Sequence, residues 1–139
     1  MLMGKFSHSL DAKKRIFIPA KHREQLGETF IITRAVDRCL SVFSLEEWEK
    51  YTAKLSELPS IQTRQIIRFI YSNAAEVQPD AQGRVLIPAD LLDYAEISKN
   101  AVVVGCGNHA EIWSEEKWNE NNNIESTEAM IGQMIELGF

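Results

Sequence analysis

The sequence lacks any long apolar segment, and its longest apolar run is Ala101–Val104. A membrane-spanning helix needs about 20 such residues in succession, so we expect no membrane anchor. Met1–Leu10 contains neither a long apolar stretch nor a small-residue cleavage pattern, so we expect no signal peptide. The composition, with 45% hydrophobic and 25% charged residues, is that of a soluble globular domain.

Cysteine is also scarce, because the 139 residues include only Cys39 and Cys106. Neither belongs to a C-x-x-C motif, which excludes a disulfide scaffold and predicts a reduced cytoplasmic protein. The three histidines provide no ligand pair at i, i+3 or i, i+4 spacing, so we predict no metal site.

The net charge of −5 is unevenly distributed along the chain. Residues 1–38 hold eight Lys and Arg against four Asp and Glu, which gives +4, and residues 39–139 carry the remaining −9. A local basic face can bind a polyanion even on an acidic protein. An ordinary solvated surface would show the same excess, so charge alone does not identify a partner.

The chain contains an internal repeat. Asp11–Ala20 recurs as Asp80–Ala89 at an offset of 69 residues, with six identical positions, and Val42–Trp48 recurs as Ile112–Trp118 at an offset of 70. Two blocks in the same order are hard to obtain by chance, so the sequence is a tandem duplication.

Each copy is predicted to contain a strand, a tight turn, a strand, a short helix, two strands joined by a turn, and a second helix. In the second copy, Asp80–Gly83 has the composition of a turn, and Pro88 suits the first position of a helix. Ala101–Cys106 and Ala110–Trp113 are predicted strands. Ser114 is a candidate N-cap for the helix that follows.

Two further segments lie outside the copies. Ser60–Asn73 has the apolar spacing of an amphipathic helix, and Asn119–Phe139 is acidic with apolar residues at helical spacing. The predicted organisation is a first repeat at 1–58, a connecting helix at 59–74, a second repeat at 75–120 and an acidic tail at 121–139.

Enzymatic motifs are missing. No G-x-S-x-G, H-E-x-x-H, Walker A or dinucleotide fingerprint occurs. Cys106 and His109 would lie across one tight turn with no third catalytic group nearby, so we expect a non-enzyme without catalytic residues or cofactor.

The two D-A-x-x-R turns are the most informative feature. Asp and Arg could simply pair and stabilise each turn. The first turn, however, carries three adjacent cations, Lys13, Lys14 and Arg15, whereas the second carries Gln82 and Gly83 before Arg84. Adjacent cations repel one another, but in a DNA major groove they can contact phosphates and guanine.

The sequence resembles the MraZ family of bacterial transcriptional regulators over essentially its whole length. The features that carry the resemblance are Met3-Gly4, Asp11–Arg15 with Ile18-Pro19, the helices containing Trp48 and Trp118, and Asp80–Arg84 with Ile87-Pro88. It implies an α+β fold in which two tandem AbrB/MazE-like swapped-hairpin repeats form a pseudo-two-fold β-barrel core flanked by helices.

The resemblance also implies a function. The family binds G-rich direct repeats in the promoter of the division and cell-wall gene cluster, usually its own operon, as a ring of eight or twelve subunits in the nucleoid. By position, Arg15 is the expected base contact, Lys13 falls at a commonly basic site, and Lys14 replaces the usual glycine. Arg84 belongs to the second motif, and Asp11 and its counterpart Asp80 are expected to hold the turns.

A different function remains open at this point. A module of the same fold could serve as an antitoxin-like or scaffolding protein that binds a protein partner. The acidic tail, with Met130, Met134 and Leu137, would then be its docking helix.

Overall fold

The computed structural model describes residues 1–139 and shows a mixed α+β protein, as predicted. The first copy comprises β1 (Lys5–Ser9), β2 (Arg15–Phe17), α1 (Ala20–Leu26), β3 (Phe30–Arg34), β4 (Leu40–Ser44) and α2 (Leu45–Ala53). A 3₁₀ turn (Lys54–Glu57) and α3 (Ser60–Tyr71) follow. The second copy comprises β5 (Ala75–Val77), β6 (Arg84–Leu86), α4 (Ala89–Ala95), β7 (Asn100–Gly105), β8 (Ala110–Ser114) and α5 (Glu115–Asn121), and α6 (Ile124–Glu136) forms the tail.

The helix starts follow from local chemistry. The Ser44 hydroxyl accepts a hydrogen bond from the Glu47 backbone N–H, and the Ser114 hydroxyl accepts one from Lys117. Each serine thereby satisfies one backbone donor that the first helical turn leaves free. The predicted cap at Ser114 is therefore confirmed. Pro88 lies one position earlier than predicted, at the N-cap of α4.

Strands are exchanged between the two copies. The first copy's β1 pairs with β7 of the second, and the second copy's β5 pairs with β3 of the first. The equivalent strands β4 and β8 pair with each other, as do β2 and β6, and every one of these pairings is antiparallel. Because the exchange is reciprocal, equivalent residues of the two copies come face to face.

The expected closed barrel is wrong. Six strands form an open sheet in the order β1-β7-β8-β4-β3-β5, and β2 and β6 form a separate two-stranded ribbon. Each ribbon strand spans only three residues, between an aspartate turn and a proline, and pairs with the other one. No strand is therefore left to join the edges β1 and β5.

One hydrophobic core serves both copies. It contains twenty buried residues, among them the equivalent pairs Ile16 and Val85, and Ile18 and Ile87. Ile16 and Val85 are also cross-strand partners in the ribbon, so the ribbon is attached to the core by its inner face.

The helices outside the copies differ in how they are attached. The predicted amphipathic helix is confirmed as α3, which accepts a hydrogen bond from the Thr33 hydroxyl at the Ile70 carbonyl (2.7 Å) and one from Arg34 at the Phe69 carbonyl (2.7 Å). The tail helix α6 buries no residue at all. None of the helices combines the length and apolar character needed to span a bilayer.

Candidate nucleic-acid interface

The two aspartate turns have the same internal hydrogen bonds. Asp11 Oδ1 accepts from the backbone N–H groups of Lys13 and Arg15, both at 2.9 Å. Asp80 Oδ1 accepts in the same way from Gln82 and Arg84, also at 2.9 Å. An Asp side chain that bonds its own backbone in this manner fixes a tight turn. Both turns are thus built without a ligand.

The exchange of strands brings the two turns together into a four-residue ion cluster, here called the Asp–Arg quartet: Asp11, Arg15, Asp80 and Arg84. Within each turn, Arg Nε contacts Asp Oδ2 at 2.7 Å in the first and 2.9 Å in the second. Across the copies, Arg15 Nη1 lies 3.7 Å from Asp80 Oδ2, and Arg84 Nη1 lies 3.6 Å from Asp11 Oδ2. Each carboxylate therefore faces both guanidinium groups.

The quartet also affects ionisation. Hydrogen bonds from the Arg15 backbone and side chain hold the pKa of Asp11 below its ordinary value. The pKa of Asp80 is also lowered, and the hydrogen bond from the Arg84 backbone N–H is the largest cause. Both carboxylates are therefore charged throughout the physiological range.

A pH dependence of stability follows from these lowered pKa values. An acid with a depressed folded-state pKa stabilises the fold above its ordinary pKa, and the contribution disappears as the pH falls through the folded value. We expect the free energy of unfolding to fall as the pH drops through and below the ordinary aspartate pKa of about 4, and to fall less in an Asp11→Asn, Asp80→Asn double variant. Urea unfolding of both proteins across this range measures the difference. Equal losses in the two proteins would contradict a role of the quartet.

The two turns differ at their tips. Lys14 has a left-handed backbone with φ of 63°, and its equivalent Gly83 has φ of 82°. A lysine costs about 1 kcal/mol more than glycine in this conformation. Lys13 and Lys14 are exposed, whereas a Cβ at Gly83 would lie 2.7 Å from the Arg23 guanidinium. The first tip (residues 11–15) is therefore open and basic at Lys14, whereas in the second (residues 80–84) Arg23 covers the equivalent Gly83.

The ribbon presents the arginines on its outer face. Residues alternate between faces along a strand, and Ile16 and Val85 occupy the buried one. Arg15 pairs with Leu86 and Phe17 pairs with Arg84, so all four lie on the opposite side. Leu86 is 59% exposed, which shows that this face is open to a partner. The structure thus places Lys13, Lys14, Arg15 and Arg84 in one region. Sequence spacing alone did not indicate that the two motifs meet.

The other polar candidates lie elsewhere. Cys39 and His22 are buried, whereas Cys106 and His109 lie at the β7–β8 turn, where Glu111 joins them. Burial and the Glu111 charge raise the pKa of the Cys106 thiol to about 11, so it is protonated at neutral pH and is a poor nucleophile. Sequence reasoning missed Glu111, although the alternation of a strand places residues 109 and 111 on one face.

Comparison with known proteins bears directly on this arrangement. A family model with the description "MraZ protein, putative antitoxin-like" matches residues 1–66 and 70–130. The chain belongs to the MraZ family. The resemblance noted in the sequence is thereby confirmed. The two matched spans adjoin within α3, between the two copies, which agrees with the duplication.

Relatives in the MraZ family cover most or all of the chain. The protein named "Transcriptional regulator MraZ" from Thermoanaerobacter sp. (strain X514) is 48% identical over 125 residues, which are 88% of this chain and 87% of that protein. Proteins of the same name from Clostridium tetani and Clostridium acetobutylicum are 44% and 45% identical over the full length of both chains.

Proposed function

We propose that this member of the MraZ family is a DNA-binding transcriptional regulator, not an enzyme, and that the first tip and the outer face of the ribbon contact the DNA. The observation that carries the proposal is the open tip. Lys13 and Lys14 are exposed beside Arg15 on a turn that its own hydrogen bonds hold rigid. The names of the relatives support the same conclusion.

Arg15 is suited to contact a base. The Arg15 Nε–H donates to Asp11 Oδ2 at 2.7 Å, while neither terminal nitrogen of Arg15 makes a hydrogen bond within the protein. An arginine fixed in this way keeps two donors for O6 and N7 of guanine, the commonest base contact of arginine in the major groove. Arg84 has the same arrangement with Asp80, so one ribbon offers two such groups. The aspartates orient the arginines and are not themselves DNA contacts.

Lys14 supports a role in binding. Its left-handed backbone would be less strained with glycine, as at Gly83. Strained residues often persist where they serve a function. An exposed ammonium at the tip supplies a phosphate contact, and phosphate contacts provide most of the salt-dependent affinity of DNA-binding proteins.

The two lysines can be tested by salt dependence. Each lost phosphate contact lowers the slope of log K against log salt by about 0.9 on B-DNA. For a Lys13→Ala, Lys14→Ala double variant, we expect the slope per engaged tip to fall by about 2 and the affinity to fall similarly on every duplex. Fluorescence anisotropy in a salt series measures both quantities. A Lys50→Ala variant, altered on α2, is the control, and an unchanged slope in the double variant would refute the contact.

The proposed function includes assembly into a ring and a defined DNA target. We take the copies to be AbrB/MazE-like repeats and the protein to form a homo-oligomeric ring of eight or twelve subunits. Its targets would be G-rich direct repeats in its own promoter, ahead of the division and cell-wall genes, in the nucleoid of the cytoplasm. One small tip makes few contacts and binds weakly. In a ring, several tips bind the same duplex together, which raises the overall affinity.

The tail helix is suited to join subunits. Its apolar residues Met130, Ile131, Met134 and Ile135 are all exposed, and its charged residues are all glutamates. A groove of about 510 Å³ lies beside α3, here called the α3 groove, and its lining includes Leu55, Leu58, Ile67, Tyr71 and Arg64. The apolar lining and the arginine complement the helix in both hydrophobicity and charge. We assign the groove to α6 of a second copy.

A second function is favoured by the same exposed helix. If α6 docks on a different protein, the chain would be an antitoxin-like or scaffolding module, in line with the wording of the family description. Deleting residues 121–139 separates the two functions. Loss of a protein partner on this deletion, with no DNA binding by the unaltered chain, would favour the scaffold. Loss of assembly together with DNA affinity favours the regulator.

A further inference from the structure

A polar cluster outside the Asp–Arg quartet lies at the turn of the β7–β8 hairpin. Cys106, His109 and Glu111 each offer one ligand atom, and the three atoms lie within 4.8 Å of one another. The Cys106 N–H donates to the His109 carbonyl at 2.8 Å across the turn. Leu2 exchanges two backbone hydrogen bonds with Gly107, at 2.8 and 2.7 Å, so the turn is held at its outer side as well.

The two ring nitrogens of His109 face oxygen atoms of neighbouring side chains. Its Nδ1 lies 2.8 Å from Asn108 Oδ1, and its Nε2 lies 3.4 Å from Glu111 Oε2. A neutral imidazole that donates its Nδ1–H to Asn108 directs the lone pair of Nε2 at the carboxylate oxygen. In that tautomer, Nε2 and the carboxylate oxygen can both donate electron pairs to one cation. The Cys106 sulfur lies within 4.8 Å of both and supplies a third donor.

We propose that Cys106, His109 and Glu111 form a binding site for Zn²⁺. Sulfur, imidazole nitrogen and carboxylate oxygen are the ligands that zinc takes in proteins, with Zn–S near 2.3 Å and Zn–N and Zn–O near 2.0–2.2 Å. Around a tetrahedral ion, those lengths place nitrogen and oxygen about 3.4 Å apart, and sulfur about 3.6 Å from either. The Nε2 to Oε2 distance of 3.4 Å already matches the first separation.

Neighbouring side chains hold the ligands in position. The Trp113 indole N–H donates to Glu111 Oε1 at 3.0 Å and leaves Oε2 free for the ion. Asn108 Oδ1, 2.8 Å from His109 Nδ1, is placed to accept an Nδ1–H and so to favour the tautomer that presents Nε2. Phe43 stacks on the imidazole with ring centres 5.5 Å apart. Such outer partners are typical of metal-ligating histidine.

Binding at this site is a coordination step without redox change. The Cys106 thiol loses its proton to solvent, the thiolate sulfur donates an electron pair to Zn²⁺, and His109 and Glu111 each donate one more. The ion keeps a fourth position, which water fills because Cys106 is exposed. Zinc would thereby join the end of β7 to the start of β8 and stabilise the hairpin.

The full-length chain, stripped with a chelator, is titrated with ZnCl₂ by isothermal calorimetry, and with CoCl₂ by absorption spectroscopy. We expect about one ion per chain and a thiolate-to-cobalt charge-transfer band. The Cys106→Ser and His109→Gln variants should each bind zinc at least about tenfold more weakly and lose or weaken that band. The Cys39→Ala and His8→Gln variants remove a thiol and an imidazole elsewhere and should bind as the unaltered chain does.

Circular dichroism and the melting temperature without metal show whether each variant is folded. The proposal is overturned if the unaltered chain shows no saturable zinc binding. It is also overturned if folded Cys106→Ser and His109→Gln variants bind zinc as tightly as the unaltered chain.

Discussion

An Arg15→Ala variant should lose most of its affinity for a duplex that carries G-rich repeats. A bidentate arginine–guanine contact contributes about 1–3 kcal/mol of discrimination, which is about five- to 150-fold for each engaged tip. Several tips act together in a ring, so the loss per ring should be larger. Fluorescence anisotropy against a matched duplex with scrambled repeats measures the specific part.

Because Arg15 belongs to the Asp–Arg quartet, its removal can lower stability as well as DNA affinity, and controls must separate the two effects. Removing Arg15 leaves Asp11 and Asp80 with Arg84 alone, so the melting temperature must be recorded beside the affinity. Arg15→Lys keeps the charge but lacks the planar fork, and it should retain the salt-dependent binding while losing the preference for guanine. Full specificity in a folded Arg15→Ala variant would show that the bases are contacted elsewhere.

A monomeric variant should bind DNA about 10²- to 10⁴-fold more weakly although every tip residue is intact. The variants Ile67→Glu in the α3 groove and Met134→Glu on α6 each place a carboxylate at the proposed subunit contact. Light scattering after gel filtration should show the mass falling to that of one chain, and anisotropy should show the loss of affinity.

The matched control is Val36→Glu, which also places a glutamate at an apolar residue, one that is 86% exposed and lies outside the groove and the tail. It should leave both mass and affinity unchanged. A monomer that binds the repeats at full affinity would refute the contribution of assembly. A stable oligomer in both Ile67→Glu and Met134→Glu would place the subunit contact elsewhere.

Local structure could be predicted from the sequence because local chemistry determines it. The spacing of apolar residues predicted α3, and Ser114 caps α5 as its position suggested. The duplication predicted that both copies fold alike, and each has four strands and two helices in the same order.

Contacts between distant parts of the chain could not be predicted in this way. Nothing in the spacing of Asp11 and Arg84 shows that they approach within 3.6 Å, because that contact depends on strands exchanged between the copies. The resemblance implied an exchange but also a closed barrel, and the three-residue ribbon strands leave the sheet open. Glu111 was missed as a neighbour of Cys106 and His109 because helical ligand spacings do not describe a hairpin.

The central claim is that the Asp-held basic tips of this chain bind DNA in a sequence-dependent way. The most direct test is an anisotropy titration of the unaltered chain on a labelled duplex with three G-rich direct repeats, beside the same duplex with the repeats scrambled, across a salt series. We expect tight binding to the repeats, a steep decrease with salt, and at least about thousandfold weaker binding to the scrambled duplex. No binding to either duplex, or equal binding to both, would contradict it.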